Sequence, residues 1–195
     1  MALDAGSSPA RLPLVTRTLI VLLRAINVGG RQAPMARLRA ACEAAGFARV
    51  RSYVASGNLL LDTALPASEV ESAVEAIVAR DFGFHSDAIA RDLGQWRAII
   101  ATAPFADERE ARARMVHLCL SKRPPAPDLA TRIAEKAQAG EQAVQVGDAL
   151  WVDYAEGVGR SKLTPALLDK AAGSPVTASN WRTVLALRDL AGETG

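Results

Sequence analysis

Cysteine and histidine are scarce in this chain, with two of each among 195 residues. Cys42 and Cys119 belong to no Cys-x-x-Cys pair, which argues against a disulfide or zinc framework and suits a reducing cytoplasm. His85 and His117 are too few for a histidine-based metal centre; His117 alternates with Val116 and Leu118 and reads as a structural side chain of a strand. No metal and no cofactor is therefore expected. Long apolar runs are missing too: nothing approaches the roughly 20 residues of a membrane span, so no membrane partner is expected. Charge is balanced, 23 basic against 21 acidic residues for a formal +2, so bulk charge does not mark a nucleic-acid surface. Only 5% of residues are aromatic, and the expected first and third strands offer none for base stacking. Both the Walker loop spacing and the dinucleotide glycine pattern are absent.

What is present is half hydrophobic and strongly patterned. Residues 1–17 lack the apolar core of a secretory signal and read as a loose tail. Residues 18–26 form an apolar strand, and Pro34 opens a helix along Leu38, Ala41, Cys42 and Ala45 that Gly46 ends. Two strands, 50–55 and 58–62, flank Ser56 and Gly57 as a hairpin. Ser68 and Glu71 fit a capping box ahead of Val70, Val74, Ile77 and Val78. A strand near 87–91 and a helix from Asp92 to before Pro104 follow. The charged stretch FADEREARAR, residues 105–114, reads as a linker between subdomains 18–104 and 115–195.

Beyond it come a strand at 115–120, a helix from near Asp128, a hairpin of 142–146 with 149–154, and a helix capped by Thr164 and Pro165 with Leu163 stapling Leu168. TASNWRT, residues 177–183, reads as the opening of the last helix, with Thr177 or Ser179 as cap and Trp181 in the core. The fold class is α+β, two subdomains of βαββα order, the first completed to a ferredoxin-like βαββαβ. In that order the first strand's end and the hairpin turn share an edge. Asn27, Gly29, Gly30 and Arg31 are thus expected beside Ser56, Gly57 and Asn58, with His85 starting from the same edge.

These loops carry the candidate site. Glycines ahead of a helix admit close ligand approach, and helix N–H groups with Arg31 nearby suit an anion. GVGRSK, residues 157–162, repeats the theme with Gly159, Arg160 and Lys162. Each also has a plain structural reading: a tight turn held by Asn27, and a solvated connector.

Together LLRAINVGG, PMARLRAACEAAGF, YVASGNLLL, GVGRSKLT and TASNWRTVLAL resemble the signature blocks of the bacterial domain-of-unknown-function family numbered 1697, over about residues 18–190. The resemblance implies two α+β subdomains and no established reaction. The family usually has Gly where Ala25 stands, and Arg where Ser179 precedes Asn180, so an anion contact at Asn180 is weakened.

The leading reading is a binding module for a phosphate-bearing ligand, a nucleotide or nucleic acid. Asn27 and Asn58 would supply hydrogen bonds, and Arg24, Arg31, Arg160 and Lys162 charge. Two alternatives stay open. One is a small phosphoryl-transfer hydrolase, acylphosphatase-like in element order, using Arg31 and Asn58, although the Gly-x-Val-x-x-Arg loop of those enzymes is absent. The other is an oligomeric scaffold without catalysis.

Overall fold

The computed structural model describes residues 16–193, so the tail expected over 1–17 lies outside them save for Thr16 and Arg17. Strand β1 (Arg17–Leu23) sends alternate side chains to opposite faces: Leu19, Val21 and Leu23 enter one core, Ile20 and Leu22 another. Both faces are buried, which is why its sequence is unbroken hydrocarbon. Helix α1 (Met35–Ala44) and strands β2 (Ala48–Tyr53) and β3 (Asn58–Thr63) follow. Helix α2 (Ala67–Phe82) and strand β4 (Ala88–Asp92) complete a four-stranded antiparallel sheet of order β2-β3-β1-β4. Leu38 and Cys42 of α1, with Val70, Val74, Ile77 and Val78 of α2, seal its outer face. Each such aliphatic side chain contributes about 1.5–3 kcal/mol by leaving water.

After helices α3 (Leu93–Ala101) and α4 (Ala106–Ala111) the order repeats. Strand β5 (Val116–Ser121), helix α5 (Leu129–Ala134), strands β6 (Gln142–Val146) and β7 (Ala149–Asp153), helix α6 (Pro165–Ala172) and strand β8 (Val176–Asn180) precede helix α7 (Trp181–Gly192). The second sheet, β6-β7-β5-β8, has the same order as the first. Strand β8 adds one element to the expected βαββα. TASNWRT is divided between it and α7, because Val176 to Asn180 pair along the open edge of β5. Asn180, rather than Thr177 or Ser179, caps α7, accepting from Thr183 N–H at 2.9 Å.

The two sheets face one another across α3 and α7. Ile20, Leu22, Leu60 and Ile89 from the first, and Val116, Leu118, Leu120 and Trp151 from the second, share one core with Trp96, Trp181, Val184 and Leu187. Trp96 donates Nε1–H to Val184 O at 3.0 Å, and Trp181 lies in the core as expected, with the Arg109 guanidinium 4.7 Å above its ring. On the far side of the second sheet, α5 and α6 cover Cys119, Leu150 and Val152. Leu163 and Leu168 join that cluster at the α6 N-terminus, where Thr164 accepts from Leu167 N–H at 3.3 Å.

The expected Ser68/Glu71 capping box does not form: α2 starts from Pro66 without a side-chain cap. Glu71 and Glu75 instead reach the outer edge of β4, accepting from the N–H groups of Ala90 and Ala88, each at 2.8 Å. An edge strand leaves donors unpaired, and two carboxylates from the neighbouring helix satisfy them. Lys122 of the second half closes the arrangement, with Nζ 2.5 Å from Glu75 and 3.2 Å from Glu71. Among the described residues no helix is long and apolar enough to cross a membrane.

A candidate ligand-binding cleft between the halves

The end of β1 and the β2–β3 turn meet, as the element order requires. Leu23 N–H donates to Gly57 O at 2.9 Å, and Arg24 N–H to Asp87 O at 2.9 Å. Asn27 bridges the two loops: Nδ2 donates to Ala55 O at 2.6 Å and to Ala33 O at 3.2 Å, while Oδ1 accepts from Ala33 N–H at 2.8 Å. Asn58 is 4% exposed, and its amide donates to Tyr53 O and Ser56 Oγ. Asn27 therefore fastens backbone to backbone, and Asn58 ties the Tyr53 carbonyl to the Ser56 hydroxyl. Gly57 has φ +82° and lies so close to Ile26 that a Cβ would stand 2.8 Å from its Cγ2, so the turn needs glycine for both reasons. Ala25, Asn27 and Val54 also have positive φ, of 53°, 55° and 52°, which concentrates backbone strain on these two loops.

Beside these loops lies a cleft of about 350 Å³. Leu23 to Ile26, Val28 and Ser56 of the first half form one wall; His117, Tyr154, Val158, Leu163, Pro165, Leu168 and residues 176–178 of the second form the other. Arg24 crosses between them, its Nη2 2.5 Å from Asp169 Oδ2 on α6, and Asp169 Oδ1 accepts from Val176 N–H at 2.8 Å. Val28 and Val158, 56% and 49% exposed, flank it with apolar surface open to solvent.

Two polar rings line the inner wall. His117 bonds through Nδ1 to Met115 O at 3.1 Å, which requires the proton on Nδ1 and leaves Nε2 as an acceptor. Burial lowers its pKa, outweighing the Met115 contact that favours the cation, so the ring is neutral at neutral pH. Tyr154 stands edge-on to it with ring centroids 5.0 Å apart, and burial raises its phenol above the ordinary range. Cys119, deeper in the same core, is pushed up to about 12 by burial and is no nucleophile at neutral pH.

The GVGRSK segment is anchored rather than loose. Ser161 donates its hydroxyl to Glu141, which also accepts from the N–H groups of Gln138 at 2.9 Å and Ala139 at 2.7 Å. Burial works against the Glu141 charge, but the Ser161 hydroxyl and the backbone donors outweigh it and bring the pKa to about 2. Arg160 is exposed, 3.6 Å from Glu156; Gly159 and Lys162 are exposed as well. Gly29, Gly30 and Arg31 lie on the exposed bend after β1.

Of the residues singled out in the sequence, Arg24 and Ser56 line the cleft; Asn27, Gly57 and Asn58 build its first wall from behind. Asn180 is turned to capping α7, and its backbone pairs with His117. His117, Tyr154 and Thr177 line the cleft without a sequence signal for a site. Alternation places His117 and Cys119 on the α6 side of β5, which was the one available hint. Among the described residues no three His, Cys, Asp or Glu side chains gather as metal ligands would.

Comparison with known proteins agrees with this architecture. The chain is similar to the solved structure of the conserved bacterial protein SP0830 from Streptococcus pneumoniae, with a TM-score of 0.69 and 19% identity over 91% of this chain and 99% of that one. At that identity the likeness speaks for the fold alone. No curated protein matches. The model of a family described as "Protein of unknown function (DUF1697)" matches residues 16–151, which takes in both loops of the first wall and ends before GVGRSKLT and TASNWRTVLAL. With well over half of its length so matched, the chain belongs to the DUF1697 family.

Proposed function

We propose that the chain is a binding module for a small phosphate-bearing ligand, with the ligand's apolar body in the cleft between the halves and its phosphate at the mouth. The observation that carries this reading is the paired construction of the rim. Val28 and Val158 line the cleft, and exposed cations follow each within a few residues: Arg31 after the first, Arg160 and Lys162 after the second. The first bend is held shut by Asn27 N–H to Arg31 O at 2.7 Å and Arg31 N–H to Val28 O at 3.1 Å, so Arg31 stays beside Val28. An apolar cleft of this size with a few polar groups suits a nucleoside-sized body, and surface guanidinium groups suit phosphate. Arg24 acts in this reading as a strut, being engaged by Asp169. The hydrolase alternative loses support because the Asn58 amide, its water-orienting group, is turned inward to Tyr53 and Ser56. The cytoplasm is the setting that fits, since Cys42 and Cys119 are buried free thiols.

Calorimetry at low salt tests the proposal, with adenosine, AMP and ADP as probes. The nucleotides bind at least about tenfold more tightly than the nucleoside, and a combined Arg31→Ala, Arg160→Ala, Lys162→Ala variant removes the difference. No nucleotide binding at millimolar concentration overturns it.

A further inference from the structure

The two sheets end in four edge strands, β2, β4, β6 and β8. An edge presents a row of unpaired N–H and C=O groups, and proteins blunt it with charge, a bulge or a covering group. Three of these edges are treated so. At β4 the N–H groups of Ala88 and Ala90 donate to Glu75 and Glu71, and Lys122 Nζ donates to Ala88 O at 2.8 Å. At β8 the Val176 N–H donates to Asp169 Oδ1, and the strand turns directly into α7 at Asn180. Strand β2 carries Arg49 and Arg51, and its pairing slips between Ala48 and Arg51, where Arg49 has φ +47°.

Strand β6 is the exception. Its sequence, QAVQV, holds no charge, proline or glycine, and its register with β7 is unbroken from Gln142 opposite Asp153 to Val146 opposite Ala149. Gly147 and Asp148 make a two-residue turn, so the closing pair of Val146 with Ala149 is hydrogen bonded and the strand alternates from there. Val146, Val144 and Gln142 thus turn their main-chain groups to β7. Ala143 and Gln145 turn theirs to the open side, where no strand pairs with them among the described residues.

We infer that β6 is the pairing edge of a homodimer, a second copy of this chain adding its own β6 antiparallel across a two-fold axis at Val144. Ala143 of each copy then exchanges N–H and C=O bonds with Gln145 of the other, and every outward donor and acceptor of the two strands is used. An edge with this spacing matches its own antiparallel copy with no group left over, which is the condition for one patch to serve both sides of a two-fold contact. The axis sets the half-buried Val144 against its copy at the close spacing of a non-bonded pair, where β-branched side chains pack well, and no charge within the strand opposes another. Strand β6 lies at the opposite edge of its sheet from β8, whose residues line the cleft, so the pairing leaves the cleft open and the inference is independent of the ligand reading.

Sedimentation velocity of the full-length protein, from about 1 µM to about 500 µM, shows a monomer passing into a dimer. Val144→Lys and Val144→Glu each stay monomeric where wild type is dimeric, because like charges meet on the axis, and mixing the two restores a dimer. Val54→Lys, which puts the same charge on another exposed valine, leaves the dimer intact. A measurement on wild type alone accompanies these: amide exchange at Ala143 and Gln145 slows at least about tenfold as the dimer forms, while Val144 and Val146, already bonded to β7, change little. A wild type monomeric throughout, a dimer that both Val144 variants keep, a mixture of the variants that stays monomeric, or exchange at Ala143 and Gln145 that ignores concentration overturns the inference.

Discussion

Arg24 and Asp169, 145 positions apart, meet at 2.5 Å across the cleft and join the loop after β1 to helix α6. Both side chains are largely shielded from water, and the Arg24 Nε is buried without a partner among the described residues. Replacing one member alone leaves the other charge poorly solvated. Arg24→Met is expected to cost about 1.5–3 kcal/mol at neutral pH, and adding Asp169→Asn recovers part of it. A double-mutant cycle by urea unfolding measures the coupling.

Asn27 holds the first wall together through three contacts to Ala33 and Ala55. Asn27→Asp keeps the acceptor but removes both donors, setting a carboxylate against two carbonyl groups. It is expected to destabilise by about 2–4 kcal/mol, and by more than Asn27→Ser, as read from denaturant midpoints.

Backbone strain at the same bend gives an effect of opposite sign. Ala25, at φ 53°, sits where glycine carries no steric penalty. Ala25→Gly therefore stabilises by about 0.5–1 kcal/mol net of the unfolded-state entropy that glycine adds. Gly57→Ala does the reverse, because its Cβ meets Ile26 and Leu23. Thermal melts of the two variants on either side of wild type check the pair of expectations.

Glu141 makes the anchoring of residues 157–162 dependent on pH. Its folded pKa of about 2 lies below the ordinary value of 4.5, so the folded state binds its proton less readily than the unfolded chain. The stabilisation is complete above about pH 4.5 and is lost as pH falls towards 2. Glu141→Gln is expected to lose about 1–3 kcal/mol at pH 7, with wild type and variant converging at the acid end of a stability profile.

His117 adds a second acid limb at higher pH. Its folded pKa is lowered by burial, so the unfolded chain binds the extra proton first, and stability falls as pH drops below 6.5. Proton NMR of its ring should show a midpoint below 6.5. A midpoint at or above 6.5 would remove the basis for a neutral acceptor in the cleft.

Much of the fold was legible because local rules carry it. The continuous apolar run in RTLIVLL, the glycines around each turn, and Thr164 with Pro165 act within a few residues of one another, so they mark strands, turns and a helix start in the primary chain. The antiparallel order that puts the β1 end beside Gly57 followed from counting elements. The Ser68/Glu71 pair shows the limit: a capping box is a local pattern, but the edge of β4 and the ammonium of Lys122 offered Glu71 better partners from distant positions. TASNWRT was divided for a similar reason, since only the unpaired edge of β5 could draw Val176 to Asn180 into a strand.

The site divides along the same line. Its loops could be read from Asn27, Gly29, Gly30 and Gly57, yet the direction in which Asn27 and Asn58 point could not, and they proved to be fasteners. Sequence alone determined two α+β halves and the strand arrangement of the first, because hydrophobic period and turn chemistry are properties of neighbours. Only the tertiary structure decided that a cleft lies between them and that His117 and Tyr154 line it. Those residues come together when two sheets bury a common core around Trp96, Trp151 and Trp181, and long-range burial of that kind leaves no mark on the spacing of the residues it gathers.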